Sequence, residues 1–207
     1  MMTTKDPCVF LVDDDPAVRT SVTLLLTSMG HPVDSFESAQ QFLDAYRDDR
    51  PGCLLVDVRM PGLSGLELQG RLKAVGITLP VIVITGYGDI PMAVRAMQAG
   101  AVTFLEKPFR EQELWENVQR AIELDTEQRR RATHRAEWQQ RLAHLTVAER
   151  QVLDRVVAGH PNKQIAAELG VSQRTVEVRR ANVMRKMQVN SVVELARAIE
   201  SLENEPS

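Results

Sequence analysis

At 207 residues, 43% hydrophobic and 26% charged, the chain has ordinary globular composition and is long enough for one or two cores. No stretch approaches the roughly 18 apolar residues of a membrane span, and the opening MMTTKDP lacks the apolar centre of a secretion signal, which points to the cytoplasm. Residues 1–124 carry 11 Lys+Arg against 17 Asp+Glu, residues 125–144 carry 5 against 3, and residues 145–207 carry 9 against 8. An acidic front and a mildly basic back imply two domains with different partners.

The first 124 residues alternate between compact apolar runs and helical patterns. CVFLV (8–12), CLLV (53–56), VIVI (81–84) and VTFL (102–105) read as buried strands, and PVDSF (32–36) as a weaker one. Asp15-Pro16 supplies an N-cap followed by proline at the first helical position. Ser38 with Gln41 and Ser64 with Glu67 fit the capping box. Pro91 opens a further helix, and Gly100 is placed to close it in the left-handed conformation. Five β-then-α units predict a parallel sheet covered on both faces. Cys8 and Cys53 sit inside strand runs and are expected as buried, reduced thiols. The absence of CxxC spacing and the scatter of His31, His134, His144 and His160 argue against a metal or disulfide role for either type.

Residues 125–141, DTEQRRRATHRAEWQQR, contain helix formers, almost no apolar stripe, and neither Gly nor Pro. They predict an extension of the fifth helix as a solvated connector, too weakly striped for a long coiled coil. After Leu145 no strand signal remains. Thr146 with Glu149 and Ser191 with Glu194 repeat the capping box, Asn162 precedes KQIAAELG, Gly170 is placed to end that helix, and Ser172 to cap the next. Four short helices result, the middle two in a helix-turn-helix layout.

LLVDVRMPGLSG (54–65) ends an apolar run on a carboxylate, Asp57, before a turn. Alone, this is an Asp opening a turn. In an open parallel sheet, however, the carboxyl ends of the strands share the edge where ligands bind. That edge collects Asp13, Asp14 and Asp15 after the first strand, Asp57 after the third, Thr85 after the fourth, and Glu106-Lys107-Pro108 after the fifth. Clustered carboxylates repel unless a proton or cation relieves them. Oxygen ligands without His or Cys favour a hard ion such as Mg²⁺. Asp57 could then act as a nucleophile forming an acyl phosphate, with Lys107 neutralising phosphoryl oxygens and Thr85 donating a hydrogen bond.

These residues resemble a response-regulator receiver domain over positions 1–124. Asp13-Asp14, the D-x-x-M-P-G-x-x-G stretch from Asp57, Thr85-Gly86 and Lys107-Pro108 all match. The resemblance implies a flavodoxin-like (CheY-like) doubly wound α/β fold, with Asp57 as phosphoacceptor. It further implies Mg²⁺ held by Asp14, Asp57 and the Arg59 carbonyl, with Asp13 acting through water. Thr85 and Phe104 would form a switch pair, although a plain core aromatic also accounts for Phe104. Tyr87 departs from the family, which commonly has His there.

SQRTVEVRRANVMRKM (172–187) carries five basic residues and one acid. On a helix, Val176, Val183 and Met187 face inward with Ile165 and Leu169, while Arg174, Glu177, Val178, Ala181 and Arg185 face away. A solvated amphipathic helix gives the same pattern, but the position after a helix-turn unit favours a recognition helix. Residues 145–200 are similar to the LuxR/GerE-type helix-turn-helix, and the whole chain to FixJ-type members of the NarL/FixJ response regulators. The resemblance makes Lys163, Arg174, Thr175 and Arg179 phosphate contacts, with Arg179 departing from a common His. It sets Glu177, Val178 and Ala181 against base edges. Helix 191–201, with Val192, Leu195 and Ile199 on one face, is a dimer contact or packs within its own domain.

The expected organisation is a receiver (1–124), a helical linker (125–144) and an all-α four-helix reader (145–207). The expected function is transcription control at a double-stranded DNA operator. A sensor histidine kinase phosphorylates Asp57, and the receiver rearranges, forming a homodimer or releasing the DNA-binding domain; RNA polymerase is a further expected partner. No enzymatic activity is expected beyond self-phosphorylation from small donors and self-dephosphorylation. Two rivals exist. A haloacid-dehalogenase-like phosphatase would need a second acid where Arg59 stands. A phosphorylation-independent regulator would use the receiver only as a dimerisation platform.

Overall fold

The computed structural model describes residues 6–86 and 90–203. The chain divides into two compact units, Met1–Arg129 and Arg130–Ser207. Among the described residues of the first, strands β1 (Cys8–Val12), β2 (Val33–Phe36), β3 (Gly52–Asp57), β4 (Val81–Thr85) and β5 (Thr103–Glu106) alternate with helices α1 (Pro16–Ser28), α2 (Ala39–Ala45), α3 (Gly65–Ala74), α4 (Ile90–Gln98) and α5 (Glu111–Ala143). The strands pair in parallel in the order β2-β1-β3-β4-β5. The order reverses between β1 and β3, where this class of sheet opens its ligand crevice.

Both faces of the sheet are buried because successive strand residues point to opposite sides, and each side meets helices. Phe10, Leu54, Val56, Val81 and Val83 pack with Phe42, Leu68 and Leu72 on one face. Val9, Leu11, Leu55, Ile82, Ile84 and Leu105 pack with Val22, Leu26, Leu114 and Val118 on the other. Truncating any one of these fully buried leucines to alanine costs about 2–5 kcal/mol. Cys8 lies on the first face and Cys53 on the second, both buried free thiols. Burial raises the pKa of both, that of Cys8 to about 11.

The start signals act as the local chemistry requires. Asp15 accepts from the Ala17 amide ahead of Pro16, and Ser64 and Glu67 form a complete capping box. Ser38 caps α2, but Gln41 reaches back to the Glu37 amide, one residue before the cap. Gly100 has φ +98° after α4.

Helix α5 continues past residue 124, yet it is not solvated throughout. Asp125 is buried and accepts from the Gly52 amide (2.9 Å) and from Arg129 Nε (2.6 Å). Trp138 is 6% exposed and belongs to the core of the second unit, with Leu142 and Leu145 beside that core. Within α5 only Trp138 and Leu142 reach that core, one turn apart, which is too short a stripe to stand out from the mostly polar residues before them.

The second unit adds α6 (Val147–Val157), α7 (Asn162–Leu169), α8 (Gln173–Met187) and α9 (Val192–Glu203). Thr146 and Glu149 complete a capping box, Gly170 ends α7 at φ +64°, and Ser172 caps α8 through the Thr175 amide. Leu195 is fully buried in the core of this unit, with Val192 and Ile199 against it. That face of α9 therefore packs within its own domain. Among the described residues no helix is long and apolar enough to cross a membrane.

Candidate functional site

Asp57 closes β3, and the chain stays paired one residue further through Val58 N–H to Ile84 O (2.9 Å). The next amide, on Arg59, donates to Asp57 Oδ2 at 2.6 Å. Gly62, at φ +79°, turns the chain away. Gly65 returns beneath the carboxylate, its N–H on Val58 O. A Cβ at Gly65 would lie 2.3 Å from the Asp57 carbonyl oxygen. Glycine is required there by close approach of two backbone segments.

Asp13 follows β1 and is 1% exposed. Its Oδ1 accepts from the Asp15 amide (2.9 Å), and its carbonyl accepts from Arg19 on α1 (2.7 Å). Lys107 follows β5, held by its amide on Thr85 O (2.8 Å). Its ammonium donates to Asp13 Oδ2 at 2.8 Å and to Asp57 Oδ1 at 2.7 Å. Thr85 is buried at the end of β4, with its hydroxyl toward Gly86 O. Phe104 is 43% exposed, so it is no core aromatic. Tyr87 lies outside the described residues.

Burial raises the Asp57 pKa above the usual carboxylate range. Hydrogen bonds and charge from Lys107, with the Arg59 amide, oppose this rise, and Asp13 adds to it. Burial pulls the Lys107 ammonium down, but its bonds to Asp13 and Asp57 prevail and leave its pKa raised. The edge is thus a pair of acids sharing one ammonium.

Of the four expected metal-site residues, the structure brings Asp13 and Asp57 together through Lys107. Asp14 is exposed beside them, and Arg59 meets Asp57 through its N–H. Among the described residues, no three His, Cys, Asp or Glu side chains already form a metal-holding group, and the Lys107 ammonium contacts both Asp13 and Asp57. The donor chemistry fits a hard dication, being all oxygen around a buried carboxylate that one ammonium leaves incompletely compensated. Spacing gave no signal for Arg19, whose partner is a backbone carbonyl six residues back.

In α8, Val176, Val183 and Met187 are buried, while Arg174, Glu177, Ala181 and Arg185 are exposed and Val178 is 54% exposed. Lys163 is exposed on α7; Thr175 and Arg179 are half-buried. An aliphatic side chain this exposed amid charged neighbours suits an apolar base edge. Two ties on α8 escaped the sequence reading. Arg180 donates to Asn162 Oδ1 at the start of α7 (2.9 Å), and Lys186 donates to Glu149 Oε2 (2.6 Å).

Residues 9–119 match the family model for the response regulator receiver domain, and residues 143–199 that of bacterial regulatory proteins, luxR family. The response regulator protein TodT of Pseudomonas putida is 44% identical over 98% of this chain and 89% of its own length. The transcriptional regulatory protein FixJ of Azorhizobium caulinodans is 50% identical over 91% of this chain and 90% of its own. Among solved structures, that of the response regulator StyR superposes with a TM-score of 0.87 at 44% identity, covering 95% of this chain and 99% of that one. The chain belongs to the FixJ-type two-component response regulators, transcription regulators in which a CheY-like receiver precedes a LuxR-type DNA-binding domain.

Proposed function

We propose that Asp57 is the phosphoacceptor and that its phosphorylation governs DNA binding by the second domain. The observation carrying this reading is the Lys107 ammonium, held by Asp13 and Asp57 at the open edge of the sheet. Asp57 Oδ attacks the phosphorus of a kinase phosphohistidine or a small acyl phosphate; the P–N or P–O bond breaks, and an aspartyl phosphate forms. Lys107 is placed to balance the added charge, and the Thr85 hydroxyl to turn from Gly86 O toward a phosphoryl oxygen. Exposed Phe104 would move inward as Thr85 does, so that one local event biases a two-state element. Receivers generally bind Mg²⁺ at this acidic site. Here Asp13, Asp14, Asp57 and the Arg59 carbonyl would hold it, and it would supply positive charge for phosphoryl oxygens.

The proposed organisation is a receiver at 1–124, a helical connector at 125–144 and a DNA reader at 145–207. Lys163, Arg174, Thr175 and Arg179 serve as phosphate contacts, and Glu177, Val178 and Ala181 read bases. Homodimer formation on phosphorylation, contact with RNA polymerase, a cytoplasmic location and slow self-dephosphorylation complete the reading.

The test is intact-mass analysis of the full chain with acetyl phosphate and Mg²⁺. Wild type gains one phosphoryl group and Asp57→Asn gains none; undiminished labelling of Asp57→Asn refutes the assignment. Identical DNA affinity of wild type with and without the phosphodonor would instead make the receiver a dimerisation platform only.

A further inference from the structure

The C-terminal turns of α5 belong to the second unit, and they grip the end of α8. Trp138 is buried in that unit's core, and its indole N–H donates to His134 Nε2 at 3.0 Å. The Arg141 guanidinium stacks over the Trp138 ring, 4.9 Å from its centroid. From there it donates to the Met187 carbonyl at 3.2 Å. One residue earlier on α8, Lys186 donates to the His144 carbonyl at 3.2 Å as well as to Glu149. The last two residues of α8 are therefore both tied to residues 141–144.

The last carbonyls of a helix have no partner within it and form its negative end. Arg141 satisfies one of them with a cation. Its planar guanidinium can stack and donate at the same time, which a lysine does less well. The other end of α8 is held by the Ser172 cap and its middle by Arg180 on Asn162. Without the contacts from residues 141–144, the C-terminal turn keeps the Lys186–Glu149 bond and its own αL cap at Gln188, where φ is +55°.

We propose that residues 134–144 are a working part of the DNA reader, and that Arg141, seated on Trp138, is a positioning residue for α8. It fixes the C-terminal end of the helix and so the angle at which Glu177, Val178 and Ala181 meet base edges. The inference rests on DNA reading by α8 and moves the start of the reader from 145 into the connector.

The test compares full-length wild type, Arg141→Ala, Arg141→Lys and Trp138→Phe. Amide hydrogen exchange reports the last turn of α8, and affinity is measured for the duplex that wild type selects from a randomised pool, against random-sequence competitor across a salt series. Arg141→Ala should speed exchange around Met187 to Val189 and lower selectivity about tenfold, the scale of one charge-assisted hydrogen bond. The slope of log affinity against log salt should stay unchanged, since no phosphate contact is lost. Arg141→Lys should restore part of the selectivity, and Trp138→Phe should reproduce part of the loss while keeping the fold. Unchanged exchange, or faster exchange with unchanged selectivity, overturns the proposal. A salt slope smaller by about one makes Arg141 a direct phosphate contact and overturns it too. A wild-type chain that selects no duplex refutes DNA reading itself, an outcome separate from any difference among the variants.

Discussion

The Lys107 ammonium lies 2.7 Å from Asp57 Oδ1, reaching from the end of β5 past β4 to the tip of β3, and on to Asp13 Oδ2. Removing one partner of a buried ion pair leaves uncompensated charge, at a cost of about 3–5 kcal/mol when both partners are fully buried. Lys107 is partly exposed, so Lys107→Ala should destabilise the receiver by about 2–3 kcal/mol in urea unfolding at pH 7. Added Mg²⁺ should recover more stability in this variant than in wild type, because a cation then replaces the ammonium. An unchanged midpoint would show that the ammonium is not needed to hold the acids together.

The Asp57 pKa, raised by burial, gives two pH dependences. The carboxylate is the proposed nucleophile, so the initial rate of labelling by acetyl phosphate should fall with acid, its midpoint above the ~3.9 of a free Asp. For stability, an acid whose folded pKa is raised favours the protonated form, so its charged form costs stability above that pKa. Asp57→Asn should therefore raise the receiver's unfolding midpoint at pH 7, with a gain that shrinks as pH falls through the raised pKa. A variant less stable than wild type at pH 7 would contradict the sign.

Much of this was readable because strand ends carry chemistry while strand interiors carry none. Asp13, Asp57, Thr85 and Lys107 each follow an apolar run, and parallel topology places such ends together. The caps at Asp15, Ser64, Thr146 and Ser172 depend on neighbours three residues apart and were equally legible. The boxes at Ser38 and Ser191 differ in detail. Gln41 and Glu194 satisfy the amides of Glu37 and Asn190, a choice set by loop geometry. Longer-range ties were hidden. Trp138 meets its core through tertiary packing, and the sequence brought Lys107 to the acidic edge without showing that its ammonium bridges Asp13 and Asp57. Phe104 lies on the edge strand β5 and is 43% exposed, a placement that its apolar run VTFL did not signal.

Gly65 and Gly70 offer a matched pair of substitutions five residues apart in α3. A Cβ at Gly65 would meet the Asp57 carbonyl at 2.3 Å, a backbone atom that cannot swing aside, whereas at Gly70 nothing lies within 4 Å. Gly65→Ala should destabilise the receiver by about 1–3 kcal/mol, as overpacking does, and slow labelling by shifting the nucleophile. Gly70→Ala should stabilise it by about 0.5–1 kcal/mol through helix propensity, leaving the labelling rate unchanged. Equal effects of the two substitutions would mean that the close approach at Gly65 does not position Asp57.

Arg174 and Glu177 stand one turn apart on the exposed side of α8 and should fail differently. Arg174 is the proposed phosphate contact: its neutralisation to Ala should weaken binding to every duplex alike and reduce the salt slope by about one, as one fewer counterion is released. Glu177 can accept from a cytosine amino group, so Glu177→Ala should change which duplex is preferred, by about 1–3 kcal/mol at one base pair. Its salt slope should not fall, because a carboxylate neutralises no phosphate. Duplex selection from a randomised pool, repeated for each variant and followed by titration at several salt concentrations, separates the two. If Glu177→Ala lost affinity uniformly across sequences, the carboxylate would be acting on the fold of α8 or on the backbone, and base reading would pass to Val178 and Ala181 alone.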